Sequence, residues 1–138
     1  AISATFNRDM VANRGHEVDC VSIPIIFENK FESIGKTKDV VKILKAVGLE
    51  KELKRCEEKK VRAGRGKMRG RRYIKKKGPL IVIGEDKGIV NAAKNIAGVD
   101  VYRVDELNVR TLAPGAHPGR LTVWTKSAIE TLIKNFGG

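Results

Sequence analysis

The chain has 138 residues, 41% of them hydrophobic, which is enough apolar material for one domain with a buried core and too much for a disordered tail. No apolar run approaches the roughly 20 residues that a membrane-spanning helix needs. The formal net charge is +12, from 28 Lys and Arg against 16 Asp and Glu, and this excess predicts a polyanionic partner.

The first part of the chain is predicted to contain a helix and a strand. Residues 1–11 carry apolar side chains at helical spacing, which indicates a helix with one buried face: Ile2, Phe6, Met10 and Val11. Gly15 is expected to end this helix. Residues 23–27 form a short apolar run, which predicts a strand buried on both faces, with Pro24 tolerated only near its start.

Two helices and a second strand are predicted in the middle of the chain. Thr37 is expected to cap the first helix and Gly48 to end it. Its apolar side chains follow helical spacing: Val40, Ile43, Leu44 and Val47. The second helix has one apolar side: Leu49, Leu53 and Cys56. After a basic stretch, Pro79 introduces residues 80–83, a continuous apolar run that is typical of a strand buried on both faces.

Strands and helices then alternate. Asp86 is expected to cap a helix that Gly98 closes, with four residues facing inward: Ile89, Ala92, Ala93 and Ile96. Residues 99–104 are the next predicted strand, followed by a short turn over residues 105–107 and a loop rich in Pro and Gly over residues 113–119.

The chain is predicted to close with a strand and a helix. The strand covers residues 121–124, and either Thr125 or Ser127 caps the helix. The helix has an apolar stripe: Ile129, Leu132, Ile133 and Phe136. This alternation predicts an α/β fold, a three-layer α/β/α sandwich with a mostly parallel sheet of about four strands and one long basic loop. Residues 1–138 are expected to form a single domain.

Charge is concentrated in the basic segment, which we define as residues 59–78. It holds 11 bases and no acid, so the rest of the chain has 17 bases against 16 acids. Its glycines permit close approach to a phosphate or ribose, and its arginines suit phosphates and exposed bases. The alternative is a solvated basic linker or a localisation signal. The residues of this segment predicted to bind RNA are Lys59, Lys60, Arg62, Gly64, Arg65, Gly66, Lys67, Arg69, Gly70, Arg71, Arg72, Tyr73, Lys75, Lys76 and Lys77.

A second candidate contact is the loop at residues 113–120, where His117 and Arg120 are predicted to touch RNA, the alternative being an ordinary surface loop. No catalytic or metal-binding spacing is found around His16 or His117, so no cofactor and no metal are expected. The two cysteines, Cys20 and Cys56, are 36 positions apart and are expected to be reduced, buried thiols.

Two nucleotide-binding motifs fail on inspection. Residues 35–37 look like the end of a P-loop, but Lys30 occupies the place of its first glycine. The Gly64–Gly66 pair is not a dinucleotide fingerprint, because Arg69 stands where the third glycine belongs.

Two long stretches resemble a known family. Residues 60–73 (KVRAGRGKMRGRRY) with residues 77–82 (KGPLIV) are similar to the basic loop of the archaeal and eukaryotic form of the large-subunit ribosomal protein L-four family. Residues 112–124 (LAPGAHPGRLTVW) resemble a second signature of that family. The resemblance covers essentially the whole chain, but the family's front section, a strand and a long loop that reaches the peptide exit tunnel, has no counterpart here. We therefore expect the chain to be the C-terminal part of a longer protein.

The resemblance implies a structural constituent of the large ribosomal subunit that binds ribosomal RNA early in assembly. Its implied partners are large-subunit ribosomal RNA and neighbouring large-subunit ribosomal proteins, in the cytoplasm and away from any membrane. An RNA-modification enzyme on an α/β scaffold is the alternative, although neither a cofactor crevice nor a paired acid and base is evident. A DNA-binding regulator is a third possibility, but the charge lies on a loop and no helix-turn-helix pattern is found.

Overall fold

The fold is an α/β sandwich, known from a computed structural model that describes residues 1–18 and 21–136. Its central sheet has four parallel strands in the order β1-β6-β4-β5, and β2 and β3 form a separate antiparallel ribbon. The strands are β1 (Ile25–Phe27), β2 (Lys60–Val61), β3 (Tyr73–Ile74), β4 (Leu80–Ile83), β5 (Asp100–Arg103) and β6 (Thr122–Thr125). The predicted fold class, with its mostly parallel sheet of about four strands, is confirmed.

Helices cover both faces of the central sheet. The α-helices are α1 (Ile2–Thr5), α2 (Arg8–Asn13), α3 (Thr37–Ala46), α4 (Glu50–Glu57), α5 (Ile89–Ala93), α6 (Val109–Leu112) and α7 (Lys126–Phe136). Single-turn 3-10 helices lie at Asn29–Ser33, Arg65–Met68, Val104–Glu106 and Pro114–Ala116. Apolar side chains of α2, α3, α4 and α5 pack on one face, and those of α1, α6 and α7 pack on the other.

The two central strands divide the hydrophobic core between these faces. Ile81 of β4 is in register with Val123 of β6, and both side chains belong to the larger cluster, with α3 and α5. Val82 is in register with Trp124, and both belong to the smaller cluster, with α7. All four side chains of β4 are fully buried, as its continuous apolar run predicted, because helices cover both sides of the strand.

The predicted helix over residues 1–11 is wrong, because the chain breaks it at Asn7. The Asn7 side-chain oxygen accepts hydrogen bonds from the backbone N–H groups of Asp9, at 3.0 Å, and Met10, at 3.3 Å, and so starts α2. The Phe6 ring is thereby free to stack on Trp124, with ring centroids 5.6 Å apart and planes 11° apart. The hydrogen bonds of the Asn7 side chain, and not the apolar spacing, therefore decide where α2 begins.

The prediction that the first strand is buried on both faces is also wrong. β1 is an edge strand paired only with β6, and the Ile26 side chain is 48% exposed, while Ile25 is buried. The alternation of buried and exposed side chains is what an edge position with one covered face produces.

The predicted helix caps have mixed outcomes. Thr37 is the first residue of α3 and does not cap it, since Lys36 occupies the cap position without a side-chain hydrogen bond. The Asp86 carboxylate accepts from Gly88 N–H at 2.9 Å, but Gly88 itself is the cap of α5. Thr125 is confirmed, because its hydroxyl accepts from the N–H of Ala128 at 3.3 Å in the first turn of α7.

Candidate nucleic-acid interface

Most of the basic segment folds into a two-stranded ribbon, which we call the basic hairpin (residues 60–74). Val61 of β2 is opposite Tyr73 of β3, and the Arg62 N–H donates to the Arg72 carbonyl at 2.7 Å. At the tip, the Gly66 carbonyl accepts from the N–H groups of Arg69 and Arg71, both at 3.2 Å. The segment therefore has more regular structure than the loop that the sequence predicts.

Two glycines make the hairpin's turns possible. Gly64 has φ +77° and Gly70 has φ +74°, conformations that residues with a Cβ seldom adopt. Neither has a neighbouring atom within 4 Å of an added Cβ, so backbone conformation and not crowding is what requires glycine at these positions.

The hairpin presents positive charge that the protein itself does not neutralise. Lys76 is paired with Glu58 at 2.6 Å and Lys77 with Asp100 at 3.1 Å. For the other bases of the basic segment, no carboxylate in the described part of the chain lies within 4.0 Å: Lys59, Lys60, Arg62, Arg65, Lys67, Arg69, Arg71, Arg72 and Lys75. Such a surface attracts polyanions and repels itself without one.

The ends of the basic segment are fixed to the body of the protein. The Gly78 N–H donates to the Gly98 carbonyl at 2.9 Å, and Arg55 of α4 donates to the Lys77 carbonyl at 2.9 Å. A Cβ on Gly78 would lie 2.5 Å from the Cys56 sulfur, so the end of the basic segment packs tightly on α4. The hairpin is thus an exposed arm on a rigid base.

Arg120 belongs to that base, and its predicted contact with RNA is corrected. Its side chain is 1% exposed, and its guanidinium donates to the carbonyl of Gly78 at 3.0 Å, the carbonyl of Thr111 at 2.9 Å and the carboxylate of Asp100 at 2.6 Å. Burial acts to raise the pKa of Asp100, but hydrogen bonds from Arg120 and Lys77 outweigh it and lower that pKa. Arg120 therefore holds the protein together, and its burial keeps the guanidinium from an outside ligand.

A second buried cluster joins α4 to the segment after α2. Glu52 is fully buried, and its carboxylate accepts from Arg55 at 2.6 Å and contacts His16 Nδ1 at 2.7 Å. Burial acts to raise the pKa of Glu52, but the hydrogen bonds from Arg55, His16 and the Glu17 N–H lower it to about 2. Burial and the negative charge of Glu52 raise the pKa of Cys56 to about 11. The expectation of a buried thiol is confirmed for Cys56, while Cys20 lies outside the described residues.

His117 stays exposed, as a surface contact requires, and the structure adds a neighbour that sequence reasoning missed. Arg14 donates to the carbonyl of Pro114 at 2.7 Å and to that of His117 itself. Arg14, Arg55 and His117 line one open cleft with the end of the basic segment, at Lys76 and Lys77. Arg14 lies about 100 positions before this loop, and no sequence pattern connects it with position 117.

Two kinds of feature are absent from the described residues. Over residues 1–18 and 21–136, no group of three or more His, Cys, Asp or Glu side chains is arranged to hold a metal ion. In the same residues, no helix is both long and apolar enough to cross a membrane.

Fold and surface together define a small basic α/β protein with an exposed cationic arm suited to a polyanion. The sequence matches the model of the ribosomal protein L4/L1 family over residues 1–135, and the chain belongs to that family. The resemblance seen in the sequence is therefore confirmed. The family and the curated relatives carry the names of ribosomal proteins and not of enzymes, so they give no support to the alternative of an RNA-modification enzyme.

Curated relatives come from archaea and yeast. Large ribosomal subunit protein uL4 of Archaeoglobus fulgidus is 53% identical over 133 residues, which cover 96% of this chain and 52% of the relative. The protein of the same name from Methanosphaera stadtmanae is 46% identical over 134 residues, covering 96% and 52%. That from Candida albicans is 47% identical over 139 residues, covering 99% and 38%. The chain thus spans about half the length of the archaeal relatives and less of the yeast one.

Proposed function

We propose that the chain is a structural constituent of the large ribosomal subunit that binds large-subunit ribosomal RNA through the basic hairpin. Family membership supports the ribosomal role, since the relatives are named as proteins of the large subunit. The single observation that carries the RNA contact is the set of exposed bases on the hairpin that no carboxylate in the described chain neutralises. RNA phosphates supply the missing negative charge and release condensed counterions.

The hairpin and the body have different parts in this proposal. The hairpin's arginines bind phosphates or stack on bases, and Tyr73, which is 48% exposed, offers an aromatic face. Arg72 already lies over the Tyr73 ring, 5.8 Å from its centroid, so the pair can present a cation and a ring side by side. The rigid α/β body fixes the direction in which the hairpin projects and faces neighbouring ribosomal proteins.

The proposal includes a place and a stage of action. A protein whose charge is neutralised only by RNA gains the most binding free energy when it binds before the RNA is packed. We therefore place the chain early in subunit assembly, in the cytoplasm. The complete protein, with the front section that the family resemblance implies, also contributes to the peptide exit tunnel.

Binding to purified large-subunit ribosomal RNA tests this function. Replacing Arg69, Arg71 and Arg72 with Ala is expected to weaken binding by at least about 100-fold, from the loss of three phosphate contacts at about 1–3 kcal/mol each. The matched control removes three exposed lysines outside the hairpin: Lys38, Lys126 and Lys134. Equal loss of affinity in both variants would show that net charge alone, and not the hairpin, accounts for binding.

A further inference from the structure

An open cleft of about 540 Å³ lies at the base of the basic segment, outside the hairpin. Four distant parts of the chain meet there: the end of α2 with the residues after it, α4, the end of the basic segment, and the loop that carries His117. Its lining residues are Met10, Asn13, Arg14, His16, Arg55, Lys76, Lys77, His117 and Pro118. Four permanent cations and two imidazoles line this cleft, and no carboxylate of residues 1–18 or 21–136 does.

Arg14 is the charge in this cleft that most needs a partner. Its guanidinium is bound only to backbone carbonyls, those of Pro114 and His117, and no carboxylate in the described chain lies within ion-pair distance. Burial lowers the pKa of Arg14, and the nearby positive charge of Arg120 lowers it further. An anion in the cleft would relieve this uncompensated charge.

The cleft is built before any ligand arrives. Arg14 is fixed by two carbonyls, and Arg55 is fixed by the buried Glu52 carboxylate at 2.6 Å. Gly119 brings the His117 loop against α2, because a Cβ at this position would lie 2.5 Å from the Met10 carbonyl oxygen. Fixed donors lose less side-chain entropy on binding than the exposed arginines of the hairpin do.

The walls of the cleft suit a base as well as a phosphate. Met10 and Pro118 are apolar, and the exposed His117 ring can stack on a nucleobase. The volume lies within the range of about 300–1,000 Å³ that is typical of pockets for small organic ligands. Cations together with a ring and its apolar neighbours match the phosphate and base of one nucleotide.

We propose that this cleft binds one unpaired nucleotide of the same RNA, with its phosphate on Arg14, Arg55 and Lys77 and its base against His117. The inference rests on the proposed function, since it assumes an RNA partner, but it places a second contact at the root of the hairpin. Arg55 and Lys77 already have carboxylate partners, Glu52 and Asp100. Arg14 has none in the described chain, so Arg14 is the principal phosphate ligand and His117 is the base ligand.

Two substitutions separate these contacts. Arg14→Gln removes the charge but keeps N–H donors for the Pro114 carbonyl. His117→Ala removes the ring, whose side chain is exposed, and keeps the carbonyl that Arg14 uses. Lys134→Gln, an exposed position on α7, is the matched control for charge. Unfolding in urea establishes that each variant is folded.

Affinity for large-subunit ribosomal RNA is then measured against salt at about pH 8. Arg14→Gln should weaken binding about tenfold and reduce the slope of log K against log salt by about 1. His117→Ala should weaken binding about tenfold without changing the slope, because stacking releases no counterion. Lys134→Gln should bind as the unmodified chain does.

Photo-crosslinking of RNA that contains 4-thiouridine gives an independent readout. Crosslinks at residues 10–16 or 114–118 are expected, in addition to those on the hairpin. If both cleft variants bind RNA as the unmodified chain does and crosslinks fall only on the hairpin, the cleft proposal is overturned while the proposed function stands. If the unmodified chain itself fails to bind the RNA, the proposed function falls and the cleft proposal falls with it.

Discussion

Arg120 and Asp100 form an ion pair at the foot of the basic segment, with guanidinium nitrogen and carboxylate oxygen 2.6 Å apart. The Lys77 ammonium lies 3.1 Å from the same oxygen. One carboxylate therefore joins the buried arginine to the end of the basic segment. Because Arg120 also donates to two backbone carbonyls, it fixes three separate parts of the chain. This contact explains why Arg120, at the end of the loop over residues 113–120, is not itself on the surface.

Replacing Arg120 with Met should lower the free energy of unfolding by about 3–5 kcal/mol, because it leaves a partly buried carboxylate with fewer partners and two buried carbonyls with none. Urea unfolding measures this change. Arg103→Met is the control, since its pair with Asp105 is exposed and should contribute less than about 1 kcal/mol. If the Arg120 variant kept the full free energy of unfolding but bound RNA more weakly, the predicted contact between Arg120 and RNA would be right and its structural role wrong.

The carboxylate of Glu52 should make stability depend on acid. Its pKa is about 2 in the folded protein against an ordinary value of 4.5, so the unfolded chain binds the proton first as the pH falls. The stabilisation is complete above about pH 4.5 and is lost between there and about pH 2. Glu52→Gln should lower the free energy of unfolding by about 3 kcal/mol at neutral pH, and the gap to the unmodified chain should narrow in that acid range. A gap that does not change with pH would contradict this account.

Cys56 should resist alkylation while the protein is folded. Its thiol is buried and its pKa is raised to about 11, so little reactive thiolate exists at neutral pH. Treatment with iodoacetamide, with the label located by mass spectrometry, should modify Cys56 slowly in buffer and quickly in guanidinium chloride. Fast labelling in buffer would show that α4 does not stay packed on Gly78 and Gly98 as described.

Amide hydrogen exchange should be fast in the basic hairpin and slow in β4 when RNA is absent. The hairpin's backbone hydrogen bonds lie over almost no buried apolar surface, since Val61 and Tyr73 are 49% and 48% exposed. Addition of large-subunit ribosomal RNA should then slow exchange at Arg62 and Arg71. Protection of Arg62 equal to that of Val82 in the free chain would show that the hairpin is stable without RNA.

Features coded by neighbouring residues were predictable from the sequence. The buried strand β4, the amphipathic helices α3 and α4 and the dense charge of residues 59–78 all follow from local spacing and composition. Even in α4 the pattern is incomplete, because the polar residue Glu52 lies on the buried side of the helix. Its burial is compensated by Arg55 and by His16, which is 36 positions earlier in the chain and could not be identified as a partner from the sequence.

Features that depend on distant partners were not predictable in this way. Ile26 has the composition of a core residue, and only the position of β1 at the sheet edge exposes it. Arg120 is buried because its partners at positions 78 and 100 are brought to it by the fold. The open cleft at the base of the basic segment likewise combines residues about 100 positions apart. Composition therefore predicted the basic segment but could not predict this cleft.

The central claim is that the basic hairpin binds RNA mainly through phosphates, and the salt dependence of affinity for large-subunit ribosomal RNA tests it most directly. If about six to eight phosphates are neutralised, a plot of log K against log salt should have a slope of roughly −4 to −7. Replacing Arg69, Arg71 and Arg72 with Ala should make that slope shallower by about 2–3. A slope near zero for the unmodified chain, or the same slope for the triple variant, would contradict the account.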